Sequence, residues 1–325
     1  MFEYTVVIRT LGKGGEYYQK TLDSLISQTI SPSSIIVYIA EGYSLPKETV
    51  GIEQYVYVSK GMVSQRALPY NEVKTEYILF LDDDVYLPPT GVEILYRELM
   101  ENSGDVISPY VFHNHEKPIK DKIRTLLLGR EVCRVLGSKW GFKVLSTAGF
   151  SYINKPMKNV YESQTNAGPC FLCKKQDFLN ICFEEELWLD NSPYAFPEDQ
   201  IMFYKMYMNG LKILTSYDSG ILHLDAGTSV SEERMLKVIY SEYRNKLIFW
   251  HRFIYMPEKN IIKRIFAVFS ICYVYWLQYV KYLIRQAYGD TKAAQAFRKG
   301  VNDGKLYLKD LDYKRLRRIE KKKHL

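Results

Sequence analysis

Along the first hundred residues the apolar positions switch between unbroken runs and helical spacing, which predicts alternating strands and helices. Residues 6–9 close a first strand, and Tyr18, Leu22, Leu25 and Ile26 then recur at the spacing of one helix face. A turn at Ser31-Pro32 leads to residues 35–39 (IIVYI), a run typical of a strand buried on both faces of a parallel sheet. Residues 55–58 predict the next strand, 62–73 a helix, and 77–81 (YILFL) a central strand. Thr90 and Glu93 have capping-box spacing ahead of Val92, Ile94, Leu95 and Leu99, and residues 105–112 predict a further strand. The expected fold is α/β, a Rossmann-like and mostly parallel central sheet flanked by helices.

From 113 to 165 the pattern breaks into short basic and aromatic pieces, which read as an insertion over the carboxyl edge of that sheet. Order resumes at Asn166, with a strand over 171–174, a short helix over 176–182, and a longer helix over 197–209 opened by Pro197 and closed by Gly210. Strands over 212–215 and 221–223 and a helix over 231–250 follow. The expected division is a catalytic domain over 1–230 and a helical region over 231–325.

Within that second region, residues 265–280 (IFAVFSICYVYWLQYV) carry no charge, with Lys263 and Arg264 before them and Lys281 and Arg285 after. As a helix they would reach roughly 24 Å, short of the roughly 30 Å hydrocarbon core. Phe266, Phe269, Tyr273, Tyr275, Trp276 and Tyr279 are amphipathic aromatics of the kind that line a membrane interface, so the expectation is a helix lying on or dipping into a bilayer. A buried helix covering the main domain is the alternative.

The chain has 325 residues, 47% hydrophobic and 25% charged, enough apolar content for a full core. Its net charge of +7 is local: from Lys305 to the end stand nine Lys or Arg against three acids, +6 of the total. A body near neutrality argues against a nucleic-acid groove, and a basic tail over 305–325 beside an aromatic segment points to an anionic membrane surface. Five cysteines are too sparse and odd a set for a disulfide framework. With an N-terminus that reads as a strand rather than a signal sequence, they imply a cytoplasmic protein, held peripherally at the inner face of the cell membrane.

Asp82, Asp83 and Asp84 follow YILFL directly, at the edge where open α/β sheets bind ligands. Three adjacent carboxylates repel one another, and a hard divalent cation shared with a nucleotide diphosphate would relieve that repulsion; a solvated acidic turn is the alternative. Glu198 and Asp199 stand in the first turn of a helix, where the dipole stabilises them whatever else they do, and either could act as a general base on an acceptor hydroxyl. Cys170 and Cys173 have half the spacing of a zinc site, but no second pair follows, and period two sends them to opposite faces of a strand. Lys13-Gly14-Gly15 matches no phosphate-loop pattern and reads as a turn near a diphosphate. Trp188 and Tyr194 precede the acidic pair, either as core or as stacking surfaces for a sugar.

The order Arg9-Thr10, Ser27-Gln28-Thr29, Glu41-Gly42, Gln65-Arg66, YILFLDDD, Asn166-Ala167-Gly168, Pro197-Glu198-Asp199 and His223 resembles a family 2 glycosyltransferase of the GT-A fold, bacterial surface-glycan type. The resemblance implies inverting transfer of a sugar from a nucleotide-diphosphate sugar, UDP-linked by family habit, to a hydroxyl of a glycan or lipid-linked acceptor. It implies Thr10, Glu41, Arg66, Asp82, Asp83 and Gly168 at the nucleotide sugar, Asp84 and His223 on Mn2+ or Mg2+, and Asp199 as base with Glu198 beside it. His223 could equally orient the loop that follows it. Ala40-Glu41 and Pro197 depart from the family's usual acidic pair and glycine. The rival readings are a sugar nucleotidyltransferase, which VVIRTLGKGG fits poorly, and a non-catalytic, membrane-associated glycan-binding scaffold.

Overall fold

In the computed structural model, which describes residues 2–111, 131–133, 139–153, 155–224 and 231–322, the apolar runs of the first hundred residues become strands. They are β1 (Tyr4–Thr10), β2 (Ser34–Ala40), β3 (Glu53–Val58) and β4 (Tyr77–Asp82), with helix α1 (Glu16–Ile26) between β1 and β2. β5 (Val85–Tyr86), α2 (Gly91–Glu101) and β6 (Val106–Pro109) follow. β7 (Glu131–Cys133), β8 (Phe142–Val144) and β9 (Phe150–Tyr152) make a small separate sheet. Then come β10 (Val160–Ser163), β11 (Cys170–Lys174), α3 (Lys175–Asn180), α4 (Glu198–Met208), β12 (Ile213–Ser216) and β13 (Leu222–His223). Much of the expected insertion, 112–130 and 134–138, and the end of the basic tail from 323 lie outside the described residues.

The main sheet runs β10-β12-β6-β11-β4-β1-β2-β3. β1, β2, β3 and β4 are parallel, as are β6 and β12, while β11 runs against both of its neighbours and β10 against β12. This is the mostly parallel α/β sheet expected from the sequence. Alternate residues of β4 feed opposite faces: Tyr77, Leu79 and Leu81 pack under α1 and α2 with Leu22, Leu25 and Leu95, and Ile78 and Phe80 pack with Phe171, Met202 and Phe203. Cys170 and Cys173 go to opposite faces in the same way, both buried, which removes them as a metal or redox pair.

Two local expectations fail for identifiable reasons. No helix forms over 62–73; the segment is a series of turns. Pro69 lacks the N–H a helix needs and disfavours helical backbone at Leu68; the Val63 and Ser64 amides, which a helix starting at 62 would leave unpaired, donate to Asp190 at 3.1 and 2.8 Å. The Thr90–Glu93 box does not close either, because Glu93 Oε2 accepts from Thr29 Oγ1 at 2.8 Å and the Thr90 side chain caps nothing.

Beyond the sheet, α5 (Glu232–Phe249) runs into a π-helical turn (Trp250–Tyr255), followed by α6 (Ile261–Ala287), α7 (Thr291–Tyr307) and α8 (Leu311–Arg315). α7 crosses α5 so closely at Gly300 that a Cβ there would lie 2.3 Å from the Tyr240 carbonyl oxygen. Ala267, Ile271, Val274, Gln278 and Tyr282 form the buried face of α6. Tyr243 Oη donates to Gln278 Oε1 and Tyr275 Oη to the Tyr243 carbonyl, each at 2.7 Å.

After α8 the basic tail is partly a strap on the sheet domain, not a free arm. Arg317 pairs with Glu185 at 3.0 Å, its carbonyl accepts from Arg252 at 2.8 Å, Ile319 is buried, and the Lys322 amide donates to the Met208 carbonyl at 2.9 Å. The strap lies over a buried ionic cluster in which Glu186 takes Lys205 at 2.8 Å and Arg252 at 2.9 Å. Burial opposes the Glu186 charge, but Lys205 and Arg252 outweigh it and hold the carboxyl below its ordinary range.

Candidate active site

β1 and β4 are in parallel register with Arg9 beside Asp82, so their carboxyl ends deliver Thr10 and the acidic triplet to one edge. A cleft of about 640 Å³ opens there, lined among others by Thr10, Lys13, Asp82, Asp83, Asp84, Tyr194 and His223. The three carboxylates turn to different partners, which limits but does not remove their mutual repulsion. Asp83 Oδ2 accepts from Thr10 Oγ1 at 2.5 Å; burial raises its pKa and that bond lowers it, while Asp82 and Asp84 push it further up, leaving it above the ordinary range.

Asp84 turns to His223. The two-residue strands β5 and β13 pair antiparallel, the Leu224 amide donates to the Asp84 carbonyl at 2.8 Å, and His223 Nε2 comes to 3.0 Å from Asp84 Oδ1. One carboxylate oxygen and one imidazole nitrogen make a donor pair suited to manganese more than to magnesium. Among the described residues no group of three His, Cys, Asp or Glu forms a complete metal cage. The remaining positions on a cation would fall to diphosphate oxygens and water, the usual arrangement at nucleotide sites.

Asp82 turns inward to two arginines, Arg9 at 2.7 Å and Arg66 at 3.4 Å. The same arginines hold the acidic pair at the start of α4: Glu198 lies 2.8 Å from Arg9 and 3.2 Å from Arg66, and Asp199 lies 2.8 Å from Arg66. Burial opposes the Arg9 charge, but Asp82 and Glu198 more than offset it and its pKa is raised. Burial pushes Glu198 up to about 8 against the pull of Arg66 and Arg9. Asp199 goes the other way: burial would raise it, but Arg66 and then Arg9 hold it below the ordinary carboxylate range. The two acids are therefore shifted in opposite directions and differ in access, with Glu198 2% and Asp199 35% exposed.

Gly168 makes this packing possible. A Cβ there would sit 2.0 Å from Asp199 Oδ1 and 2.6 Å from Arg66 Nη1, and its carbonyl accepts from Arg66 Nη2 at 3.1 Å. Its observed contacts are thus with the base candidate and its arginine, where the sequence had suggested the nucleotide sugar. Glu41 is exposed at the end of β2 and does not line the cleft. Trp188 is core, its Nε1 donating to Glu186 at 2.7 Å, whereas Tyr194 does line the cleft.

Sequence reasoning missed three residues that organise the site. Arg9 bridges Asp82 and Glu198, and its signal was a lone cation ending the apolar run of β1. Asp190 pins the turn that carries Arg66, as described for Val63 and Ser64. Asn245, fully buried on α5, donates to Ser192 Oγ and the Phe196 carbonyl, each at 2.9 Å, and so fixes the loop leading into Glu198. Neither of the last two stood in a recognisable local pattern.

No protein-family model and no curated protein matches this sequence. Among solved structures, one titled as GalNAc-T7 with UDP, GalNAc and Mn2+ matches with a TM-score of 0.52 at 15% identity, over 96% of this chain and 57% of that chain. This chain therefore spans little more than half of that protein. The fold recurs widely, with 312 solved chains matching, so it does not by itself assign a reaction. The likeness agrees with the observed mostly parallel sheet and its flanking helices: this chain has the GT-A fold.

Proposed function

We propose that this chain is an inverting, metal-dependent glycosyltransferase of the family 2, bacterial type, working in the cytoplasm. It would move a sugar from a UDP-linked donor to a hydroxyl of a glycan or lipid-linked acceptor in cell-surface polysaccharide synthesis. In this reading residues 1–230 carry the chemistry and 231–325 the helical support. The reading rests on one arrangement: the Asp84–His223 and Thr10–Asp83 pairs line one cleft, and Arg9 ties Asp82 of that cleft to Glu198, the neighbour of Asp199. UDP and Mn2+ in the GalNAc-T7 structure support the choice of donor and cation.

Thr10 and Asp83 line the cleft as a hydrogen-bonded pair and would take the nucleoside, and Lys13, also on the cleft wall, would face the diphosphate. Asp84 and His223 would hold a divalent cation, which would supply neutralisation of the charge on the leaving diphosphate. Arg66 keeps Asp199 ionised and oriented, so its carboxylate accepts the proton of the acceptor hydroxyl. That oxygen bonds to the anomeric carbon from the side opposite the diphosphate, whose bond to the same carbon breaks. Glu198, held by Arg9 and Arg66, positions its neighbour and keeps the end of α4 against β1.

The test is a panel of nucleotide sugars with and without manganese, following release of the nucleoside diphosphate. Manganese-dependent release from one donor supports the reading. With pyrophosphate added, formation of nucleoside triphosphate and sugar 1-phosphate would indicate a nucleotidyltransferase, and binding without release a scaffold.

A further inference from the structure

The charge-free segment lies within α6, whose inner face is packed against α5 and α7 while its outer face is bare among the described residues. The outer face is built from Ile265, Phe266, Phe269, Tyr273, Trp276 and Tyr279, with Phe269 70% and Trp276 61% exposed. Water-facing helix positions are ordinarily polar, so a continuous aromatic stripe of this size marks a surface that something covers. Cations edge it on both sides. Lys263 and Lys281 stand on the helix beside it, and Arg298 and Lys305 of α7 line a groove of about 500 Å³ together with Trp276 and Tyr279.

We infer that this outer face is a membrane-docking surface, which lies in the headgroup region of an anionic bilayer and attaches the protein peripherally. The inference is independent of the chemistry proposed for the cleft. Aromatic side chains with a polar edge favour the interface, and flanking cations complement anionic headgroups. A second copy of this chain is disfavoured as the occupant, since like cations on facing rims would repel. Crossing the bilayer is excluded by the inner face. α6 has the length, about 40 Å for its 27 residues. But Gln278, wholly buried and bonded to Tyr243, and the Tyr275 bond to the Tyr243 carbonyl tie it to α5.

The experiment is flotation of the full chain with phosphatidylcholine vesicles with and without phosphatidylglycerol, at low and high salt. Intact protein should float with the anionic vesicles at low salt and float less as salt rises. Phe269→Ser with Trp276→Ser should abolish flotation, and Arg298→Gln with Lys305→Gln should weaken it about fivefold per cation. Both pairs alter exposed side chains, and unchanged circular dichroism confirms the fold. A second reading needs no variant: Trp276 is the most exposed tryptophan among the described residues, so anionic vesicles should shift the emission to the blue. Intact protein left at the bottom at low salt, or no blue shift, overturns the inference. A dimer that the serine variants dissociate, without flotation, assigns the face to a second copy and overturns it as well.

Discussion

Arg66 and Asp199 meet at 2.8 Å in a gap that Gly168 alone leaves open. The base candidate is therefore set by a residue with no side chain, and the loss of that emptiness is the most direct way to disturb it. Gly168→Ala should displace Asp199 and lower kcat by about a hundredfold, the scale of a small misplacement at a reacting centre. Donor affinity should hold. Steady-state kinetics with separate kcat and donor KM check the split.

Asp199→Asn keeps the shape and the Arg66 contact but removes the proton acceptor. Turnover should fall by roughly a hundredfold to ten-thousandfold while donor binding survives. Because Arg66 holds Asp199 below the ordinary range, the acid limb of the wild-type rate should lie lower than for a free aspartate. Near-normal turnover in the mutant, with saturating acceptor, would move the role to Glu198.

Asp84→Asn and His223→Ala each remove half of the donor pair 3.0 Å apart. Both should abolish manganese-dependent UDP binding in calorimetry and leave the melting temperature nearly unchanged. Unaltered affinity in both would reduce the triplet to an acidic turn.

Glu198 makes stability depend on pH. Its native pKa of about 8 lies above the ordinary 4.5, so the folded state binds the proton more tightly than the unfolded one. The contribution is complete below about 4.5 and is lost as pH rises through about 8. Urea midpoints across that window should fall with rising pH in the wild type, and Glu198→Gln should flatten the slope.

The strap after α8 should be structural. Ending the chain at Leu316 removes buried Ile319, worth about 2 kcal/mol, together with the Arg317–Glu185 pair. A fall in urea unfolding free energy of that order checks it; no change would mean that the strap adds nothing.

The parts legible in the sequence were those written in local pattern. YILFLDDD announced both a strand and its ligand edge because alternation and burial are properties of neighbouring residues, and α6 announced itself by the same logic of local hydrophobicity. What escaped was fixed at long range. Asp190, far along the chain, takes the Val63 and Ser64 amides and pins that turn, and Glu93 is claimed by Thr29. β10 was lost inside an irregular stretch because its partner β12 comes some fifty residues later. Asp84 and His223 were legible as candidates through resemblance, but their meeting depends on two strands of two residues each.

Glu186 sets a limit on how this protein can be divided. Its charge is neutralised by Lys205, on the same helix as Glu198 and Asp199, and by Arg252, in the π-helical turn that follows α5. A chimera that joins this sheet domain to a foreign helical half, or a minimal catalytic fragment cut before Arg252, would leave buried Glu186 with Lys205 alone and lose the Arg252 side of the cluster. The cost of breaking such a buried pair is about 3–5 kcal/mol, a large share of what holds a domain together. The two halves are therefore expected to be inherited as one unit, with substitutions at positions 186, 205 and 252 accepted only in concert.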